Sequence, residues 1–178
     1  MAREKTPEAD KPMGVKLIQV DAFTEEPFKG NPAVVCILPG PQGPSWMQQV
    51  AQETRATATA FLYRQPDGFN LRWFTPIIEI DLCGHATLAA AHVLYEEDCV
   101  KPGRPVRFFT RSGVMAATRI GQWIELDFPA LHEEPAMPPL EMGKALGASW
   151  TYVGRNRFDY LLEADSEQAV RSLTPDYG

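Results

Sequence analysis

The sequence lacks an excess of basic residues. Of its 178 residues, 17 are lysine or arginine and 23 are aspartate or glutamate, so the formal net charge is -6. Because nucleic-acid binding needs a basic surface that neutralises phosphates, this balance argues against a nucleic-acid partner. The sequence also has no apolar run long enough to span a membrane, so we expect no membrane partner.

Cysteine is scarce and unpatterned. Cys36, Cys83 and Cys99 show no Cys-x-x-Cys spacing, and their odd number argues against a complete disulfide framework. Three unpaired thiols suit a reducing compartment, so we expect a cytoplasmic protein. We also expect no metal site, because the i,i+4 pair His92 and Glu96 would need at least one further ligand.

The overall composition is that of an ordinary globular protein, with 44% hydrophobic and 22% charged residues. The first thirteen residues differ, since they are charged and contain proline, which is not typical of a signal peptide. We therefore expect residues 1–13 to be a disordered N-terminal tail.

The hydrophobic pattern predicts short strands with one apolar helix among them, an α+β arrangement. Strands are predicted at residues 15–23, 33–38, 57–63, 69–74, 106–110, 114–120 and 123–128. Asp67-Gly68 and Ser112-Gly113 predict hairpin turns. Ser45 is the predicted N-cap of a helix that runs to about Thr54.

The C-terminal part is predicted to be a separate, smaller region. Four prolines between Pro129 and Pro139 indicate a linker. Two strands, at 151–153 and 158–163, and short helices at 141–146 and 165–173 follow, which is too little for an independent core. We expect one domain at residues 14–129, and at 130–178 a linker and the start of an incomplete second domain.

The stretch from Asp81 to Leu94, Asp-Leu-Cys-Gly-His-Ala-Thr-Leu-Ala-Ala-Ala-His-Val-Leu, predicts an apolar helix buried inside the first domain. Its first backbone N–H groups lack helical partners, and the helix dipole favours a carboxylate there. Gly84 would let a ligand approach that backbone, and His85 in the first turn could exchange a proton. Cys83 would lie beside His85. This pattern predicts a site for a small acid.

Structural interpretations of the same residues stay open. The Gly-His-Ala-Thr run could be ordinary capping, and a single histidine is often structural. Glu79 and Asp81 precede the helix, where we expect capping, with substrate contact as the alternative. Asn31 lies in a Gly-Asn-Pro turn, which is commonly structural but could bind ligand. The simplest interpretation of the tryptophans is core packing; they include Trp46, Trp73 and Trp123.

Six ordered motifs together resemble the PhzF-like family, phenazine-biosynthesis-type isomerases related to diaminopimelate epimerase. The motifs are Val20-Asp21-Ala22-Phe23, Gly30-Asn31-Pro32-Ala33, Trp73-Phe74-Thr75-Pro76, Leu82-Cys83-Gly84-His85-Ala86-Thr87-Leu88-Ala89, Thr110-Arg111-Ser112-Gly113 and Asp127-Phe128-Pro129. The resemblance covers nearly the whole chain after residue 14.

The resemblance implies two domains related by pseudo-twofold symmetry, each a curved, mostly antiparallel sheet around a central helix. It implies an active site in the cleft between them, at the N-terminal ends of the central helices, and no metal or organic cofactor. The best-known family reaction is isomerisation of a dihydro-hydroxyanthranilate by proton transfer. The implied catalytic position is His85, and the substrate-binding candidates are Asn31, Cys83, Gly84, His85, Ala86 and Thr87.

Two departures from the family pattern affect the expected chemistry. The family's acid/base glutamate lies in a Glu-Thr-Ala-Phe motif, and here Ala58 precedes Thr59-Ala60-Phe61. Alanine carries no proton, Glu53 is no obvious replacement, and general acid–base catalysis typically contributes about 10²–10⁴-fold. The second catalytic carboxylate belongs to the family's second domain, which we expect to be incomplete here. Cys83 aligns with a catalytic cysteine of related epimerases, but those enzymes need a second thiol opposite it, so we favour a buried small apolar residue.

Three functions remain open at this point. The first is an impaired isomerase or epimerase acting on a small carboxylic acid, with a second chain completing the cleft in a homodimer. The second is a catalytically inactive module that binds a small acid or dimerises. The third is a non-functional fragment of a two-domain protein.

Overall fold

A computed structural model describes residues 14–176, so the predicted disordered tail at residues 1–13 lies outside the described part of the chain. The chain divides into two compact units, with the boundary between Pro129 and Ala130.

The first unit is built from strands around one long apolar helix. Its strands are β1 Leu17–Ala22, β2 Asn31–Leu38, β3 Ala58–Gln65, β4 Gly68–Phe74, β5 Glu79–Ile80, β6 Val106–Thr110, β7 Gly113–Ile120 and β8 Trp123–Asp127. Its helices are α1 Pro44–Thr54 and α2 Gly84–Glu96.

These strands form one sheet in the order β1-β2-β3-β4-β6-β7-β8, with β5 paired to β4. The pairs β2–β3 and β4–β6 are parallel, and the other pairs are antiparallel. The predicted turns at Asp67-Gly68 and Ser112-Gly113 join antiparallel neighbours, as expected. The two parallel pairs place α1 and α2 in the crossover connections.

Helix α2 is the centre of this unit, and the prediction that it is buried is confirmed. Eight of its residues are buried: Ala86, Thr87, Ala89, Ala90, Ala91, Val93, Leu94 and Tyr95. It packs against β1, β2, β3 and β8, which lie at or near both edges of the sheet. The sheet must therefore curl around the helix, and the small alanine side chains allow the strands to come close.

Helix α1 covers the opposite face of the sheet. Its Met47 and Ala51 pack with Cys36, Phe61 and Phe74 in a second, smaller core. The predicted N-cap, Ser45, is wrong: the helix begins at Pro44 and its N-cap is Gly43. Proline suits a first helical position, because its fixed φ is already helical and its missing N–H would have no helical partner there.

The second unit is a small sheet with two short helices. Its elements are β9 Glu134–Pro135, α3 Met142–Leu146, β10 Tyr152–Arg155, β11 Tyr160–Glu163 and α4 Glu167–Arg171. The strand order is β11-β10-β9, so the predicted linker contributes an edge strand. The turn between β10 and β11 contains Asn156, whose Oδ1 accepts hydrogen bonds from the backbone N–H groups of Phe158 and Asp159.

Burial differs sharply between the two units. Within residues 14–176, every apolar side chain classed as buried lies in the first unit. Trp73 is fully buried there, but the expectation that Trp123 belongs to the core is wrong, because Trp123 is 78% exposed at the start of the edge strand β8. The second unit leaves Met137, Leu140 and Leu161 exposed.

We predict that Leu94→Ala lowers the free energy of unfolding by about 2–5 kcal/mol, because it leaves a cavity between α2 and the sheet. Urea unfolding followed by circular dichroism measures this change. The matched control is Ile77→Ala, since Ile77 is 82% exposed and its truncation should change stability by less than about 0.5 kcal/mol. Equal losses in the two variants would contradict the central placement of α2.

Candidate functional site

The candidate site lies where β2, β3 and α2 begin. The parallel register pairs Ala33 with Ala58, so the residues just before them, Pro32 and Thr57, are also neighbours. Helix α2 packs on both strands and brings the His85 ring to the same place. Three segments that are distant in the sequence therefore meet at one end of the sheet.

A chain of polar contacts joins these segments. The Thr57 hydroxyl donates to the Pro32 carbonyl at 2.6 Å and lies 3.2 Å from His85 Nε2. Asn31 Oδ1 lies 3.2 Å from the same hydroxyl. On the other side of the ring, His85 Nδ1 lies 3.5 Å from Cys83 Sγ. The structure thus brings together three predicted site residues, Asn31, Cys83 and His85, through Thr57.

Gly30 fixes the position of Asn31. Its φ is +80°, and a Cβ at this position would lie 2.3 Å from the carbonyl oxygen of Ala22. Only glycine avoids this overlap, so the turn between β1 and β2 depends on it. The Gly-Asn-Pro motif therefore has a structural role that also brings Asn31 to the site.

The start of α2 has unsatisfied backbone donors. Cys83 is the N-cap, and the backbone N–H of Thr87 donates to the Cys83 carbonyl at 3.1 Å. The Thr87 hydroxyl donates to the same carbonyl at 2.6 Å and is buried, so this predicted site residue closes the first turn. The N–H groups of Gly84 and His85 have no helical acceptor and suit an anion.

Gly84 and Ala86 differ in their access to solvent. Gly84 is partly exposed, and a Cβ there would meet the Phe128 ring at 3.7 Å, an ordinary van der Waals distance. Packing within the described residues therefore does not require glycine at this position. Ala86 is fully buried. Of these two predicted site residues, Gly84 alone has an accessible backbone.

Burial keeps the ionisable groups of the site neutral. It lowers the pKa of His85, because the charged ring loses solvation. It raises the pKa of the Cys83 thiol, and the backbone N–H of Ala86 opposes this rise. The pair is therefore a thiol beside a neutral imidazole and not a thiolate–imidazolium pair.

Arginines neutralise the acidic residues that precede α2. Arg72 donates two hydrogen bonds to Glu79, at 2.6 and 2.8 Å, and Arg111 approaches Glu79 at 2.7 Å. Asp81 lies 4.0 Å from Arg111, and its carbonyl accepts a hydrogen bond from the Ser112 hydroxyl. The expectation that Glu79 or Asp81 caps the helix is wrong, since the N-cap is Cys83.

The position at which the family motif has its glutamate is buried in this chain. Ala58 is 1% exposed and belongs to the core that packs against α2. Its neighbours in that core include Ala33 and Ala60, so this part of the core holds small apolar side chains. The side chain at this position cannot exchange a proton.

Neither a metal cluster nor a membrane helix is found in the described part of the chain. No three His, Cys, Asp or Glu side chains between residues 14 and 176 come close enough to hold a metal ion. Glu96, which follows His92 by one helical turn, forms an ion pair with Arg119 at 2.8 Å. Across the same residues, the helices are too short or too polar to cross a membrane.

Sequence reasoning missed Thr57, Arg72 and Arg111 as members of this region. Thr57 directly precedes the Ala58-Thr59-Ala60-Phe61 motif, and Arg111 lies within the Thr-Arg-Ser-Gly motif, so both had a signal in the sequence. Arg72 had none, because its partner Glu79 is reached only through the pairing of β4 with β5.

We predict that His85→Gln weakens the acid dependence of stability. The folded pKa of His85 lies below its unfolded value of about 6.5, so the unfolded chain binds more protons, and stability is lost as pH falls through this range. Urea unfolding between about pH 8 and pH 5 measures this loss. His92→Gln, an exposed position on the same helix, is the control and should behave like the wild type. An unchanged acid dependence in His85→Gln would contradict the assignment.

Comparisons with known proteins identify the family of the chain. The family model for phenazine biosynthesis-like proteins, PhzC-PhzF, matches residues 20–158. An uncharacterised isomerase of Halalkalibacterium halodurans is 51% identical over 168 residues, which are 93% of this chain and 63% of that protein. The chain therefore spans less than two thirds of the length of this relative.

Solved structures support the fold. A PhzF-family phenazine biosynthesis protein of Enterococcus faecalis matches with a TM-score of 0.79 and 39% identity, covering 92% of this chain and 62% of that one. A hydroxyproline epimerase of Agrobacterium vitis is similar in fold alone, with a TM-score of 0.56 and 14% identity over 80% of this chain and 48% of that one. The predicted α+β, diaminopimelate epimerase-like fold is confirmed. With a family model that matches most of its length, the chain belongs to the phenazine biosynthesis-like (PhzC-PhzF) family.

Proposed function

We propose that the chain is a PhzF-family, isomerase-like protein that binds a small carboxylic acid at the start of α2. The observation that carries this proposal is the half-buried His85, which is linked to Thr57 and Cys83 and lies in the first turn of α2, where N–H groups lack helical acceptors. The family-level isomerase relationship supports it. The catalytic role of His85 and the substrate-binding role of Asn31 are part of the proposal.

The ligand's carboxylate would accept hydrogen bonds from the N–H groups of Gly84 and His85. Hydrogen bonds to an ionised acceptor are stronger than neutral ones, and the helix dipole adds to the attraction. Because Arg72 and Arg111 pair with Glu79, that carboxylate repels an incoming anion less strongly. Cys83, Ala86 and Thr87 would shape the first turn and would not donate side-chain hydrogen bonds to the ligand.

We also propose that the site lacks the proton shuttle of its family. Ala58 stands where the family motif has its acid/base glutamate, and its burial in an apolar core favours this interpretation. The same observation favours a second candidate function, a small-acid-binding module without catalysis. The family reaction needs a group that can both remove and return a proton, and His85 is the remaining candidate in the first turn.

The extent of the functional unit is also a proposal. We propose that residues 14–129 are the PhzF-like N-terminal domain and that residues 130–178 belong to the linker and the second domain.

The exposed apolar residues Met137, Leu140 and Leu161 support self-association, in which a second copy of the chain would complete the cleft as a homodimer. Light scattering after size-exclusion chromatography tests this point. Cytoplasmic localisation stays a prediction.

We predict that Ala58→Glu accelerates proton exchange on a dihydro-hydroxyanthranilate, by up to about 10²–10⁴-fold over the wild type. The exchange is measured by proton NMR in deuterated buffer, as loss of the signal of the carbon-bound hydrogen. Ala58→Gln is the matched control, because it introduces the same bulk without an exchangeable acid proton.

We expect the wild type and Ala58→Gln to exchange at similar rates, both far below the rate of Ala58→Glu. Wild-type exchange as fast as that of Ala58→Glu would contradict the proposed loss of the shuttle. Exchange that rises equally in Ala58→Glu and Ala58→Gln would show that bulk at this position, and not the carboxyl group, is responsible.

A further inference from the structure

The contacts around Thr57 determine which nitrogen of His85 carries the proton. A hydroxyl group has one proton to donate, and the 2.6 Å contact of Thr57 with the Pro32 carbonyl uses it, because a carbonyl oxygen can only accept. Thr57 Oγ1 is then an acceptor toward His85 Nε2, 3.2 Å away. His85 Nε2 must therefore be protonated for this contact to be a hydrogen bond.

The other side of the ring agrees with this assignment. In a neutral imidazole whose Nε2 is protonated, Nδ1 is a bare acceptor. The Cys83 sulfur lies 3.5 Å from Nδ1, and burial keeps that thiol protonated and able to donate. The direction of donation is thus the same along the whole chain: from Cys83 to Nδ1, from Nε2 to Thr57, and from Thr57 to Pro32.

We propose that Thr57 is a positioning residue, which holds the His85 ring in one orientation with Nε2 protonated and Nδ1 bare. This inference rests on the proposed role of His85. It adds the residue that determines which of the two His85 nitrogens is protonated. The parallel register explains why Thr57 can do this, since it places Thr57 beside Pro32 at the edge of the site. Thr57 is exposed and belongs to neither hydrophobic core cluster, so its hydroxyl can be removed without opening the core.

Other ionisable groups near His85 are few. Within residues 14–176, the side chains that hydrogen-bond to its ring are those of Thr57 and Cys83. Among the strands packed around α2, β1 has Asp21 next to its last residue and β8 ends at Asp127, and neither carboxylate forms an ion pair with His85 in this part of the chain. Any longer-range effect of these carboxylates on the pKa of His85 decreases with added salt.

The test is a histidine titration by ¹⁵N NMR of the wild type and of the variants Thr57→Val and Cys83→Ala. We expect these two variants to shift the pKa of His85 in opposite directions. The Nε2–H donates to Thr57 in both the neutral and charged rings but more strongly in the charged one, so Thr57→Val should lower the pKa of His85 by about 0.5 to 1 unit. Cys83 donates only to the neutral ring, so Cys83→Ala should raise this pKa. Thr57→Ser should restore the wild-type value.

If the hydrogen bonds ran in the opposite direction, both variants would shift the pKa of His85 the other way, and that result would overturn the proposal. If Thr57 donated to a bare Nε2, Thr57→Val would raise the pKa of His85 and Cys83→Ala would lower it. An unchanged pKa in Thr57→Val, or a wild-type spectrum in which Nδ1 is the protonated nitrogen, overturns it as well. The wild-type spectrum needs no variant, and the chain has only three histidines, so His92 and His132 serve as internal references for folding.

The titration uses the chain without any ligand, at low and high salt. Its outcome is therefore independent of whether a small acid binds. If the pKa of His85 shifts as expected in both variants but no small acid binds, the proposed function is overturned and the role of Thr57 stands. If the pKa shifts are reversed, this inference alone is overturned.

Discussion

The burial of α2 inside the curled sheet is the constraint on which the rest of the first unit depends. An α-helix whose middle is Ala-Ala-Ala has too little polar surface to face water, so strands from both halves of the sheet must cover it. The same helix has a polar end, because the N–H groups of its first turn lack helical acceptors. Covering the body of the helix while leaving its start partly open produces both the core and the candidate site.

The electrostatics of the site follow from this arrangement. Burial disfavours charge on Cys83 and His85, so the positive potential at the helix start comes from backbone dipoles and not from an imidazolium. Arginines pair with the nearest acidic side chains, of which Glu79 is the most buried. A site of this kind suits a small anion without itself carrying a large charge. Ala58, enclosed in the core, adds nothing to this polarity.

Much of the fold could be predicted from the sequence because its signals are local. The apolar helix, the two hairpin turns and the family motifs were all readable, since each depends on a few adjacent residues. Ser45 was misassigned as a cap because Pro44 suits the first helical turn better. Trp123 was misplaced because an aromatic residue in an alternating strand gives no sign that the strand is an edge.

The site itself was only half predictable, because its contacts connect distant segments. Cys83, Gly84 and His85 stand out in one motif and Thr57 directly precedes another, but the contact between Thr57 and His85 follows only from the parallel pairing of β2 with β3. The same holds for Arg72 and Glu79, which meet across the pairing of β4 with β5. The roles of Asn31 and His85 toward a ligand remain proposals, because geometry shows what these groups can do and not which molecule they bind.

The most direct test of the central claim is an amide NMR titration of the chain with anthranilate, using aniline, which lacks the carboxylate, as the control ligand. We expect saturable shifts of the Gly84 and His85 backbone amides with anthranilate and none with aniline. Equal shifts with both compounds, or shifts confined to residues away from the start of α2, would contradict a carboxylate site at this helix end.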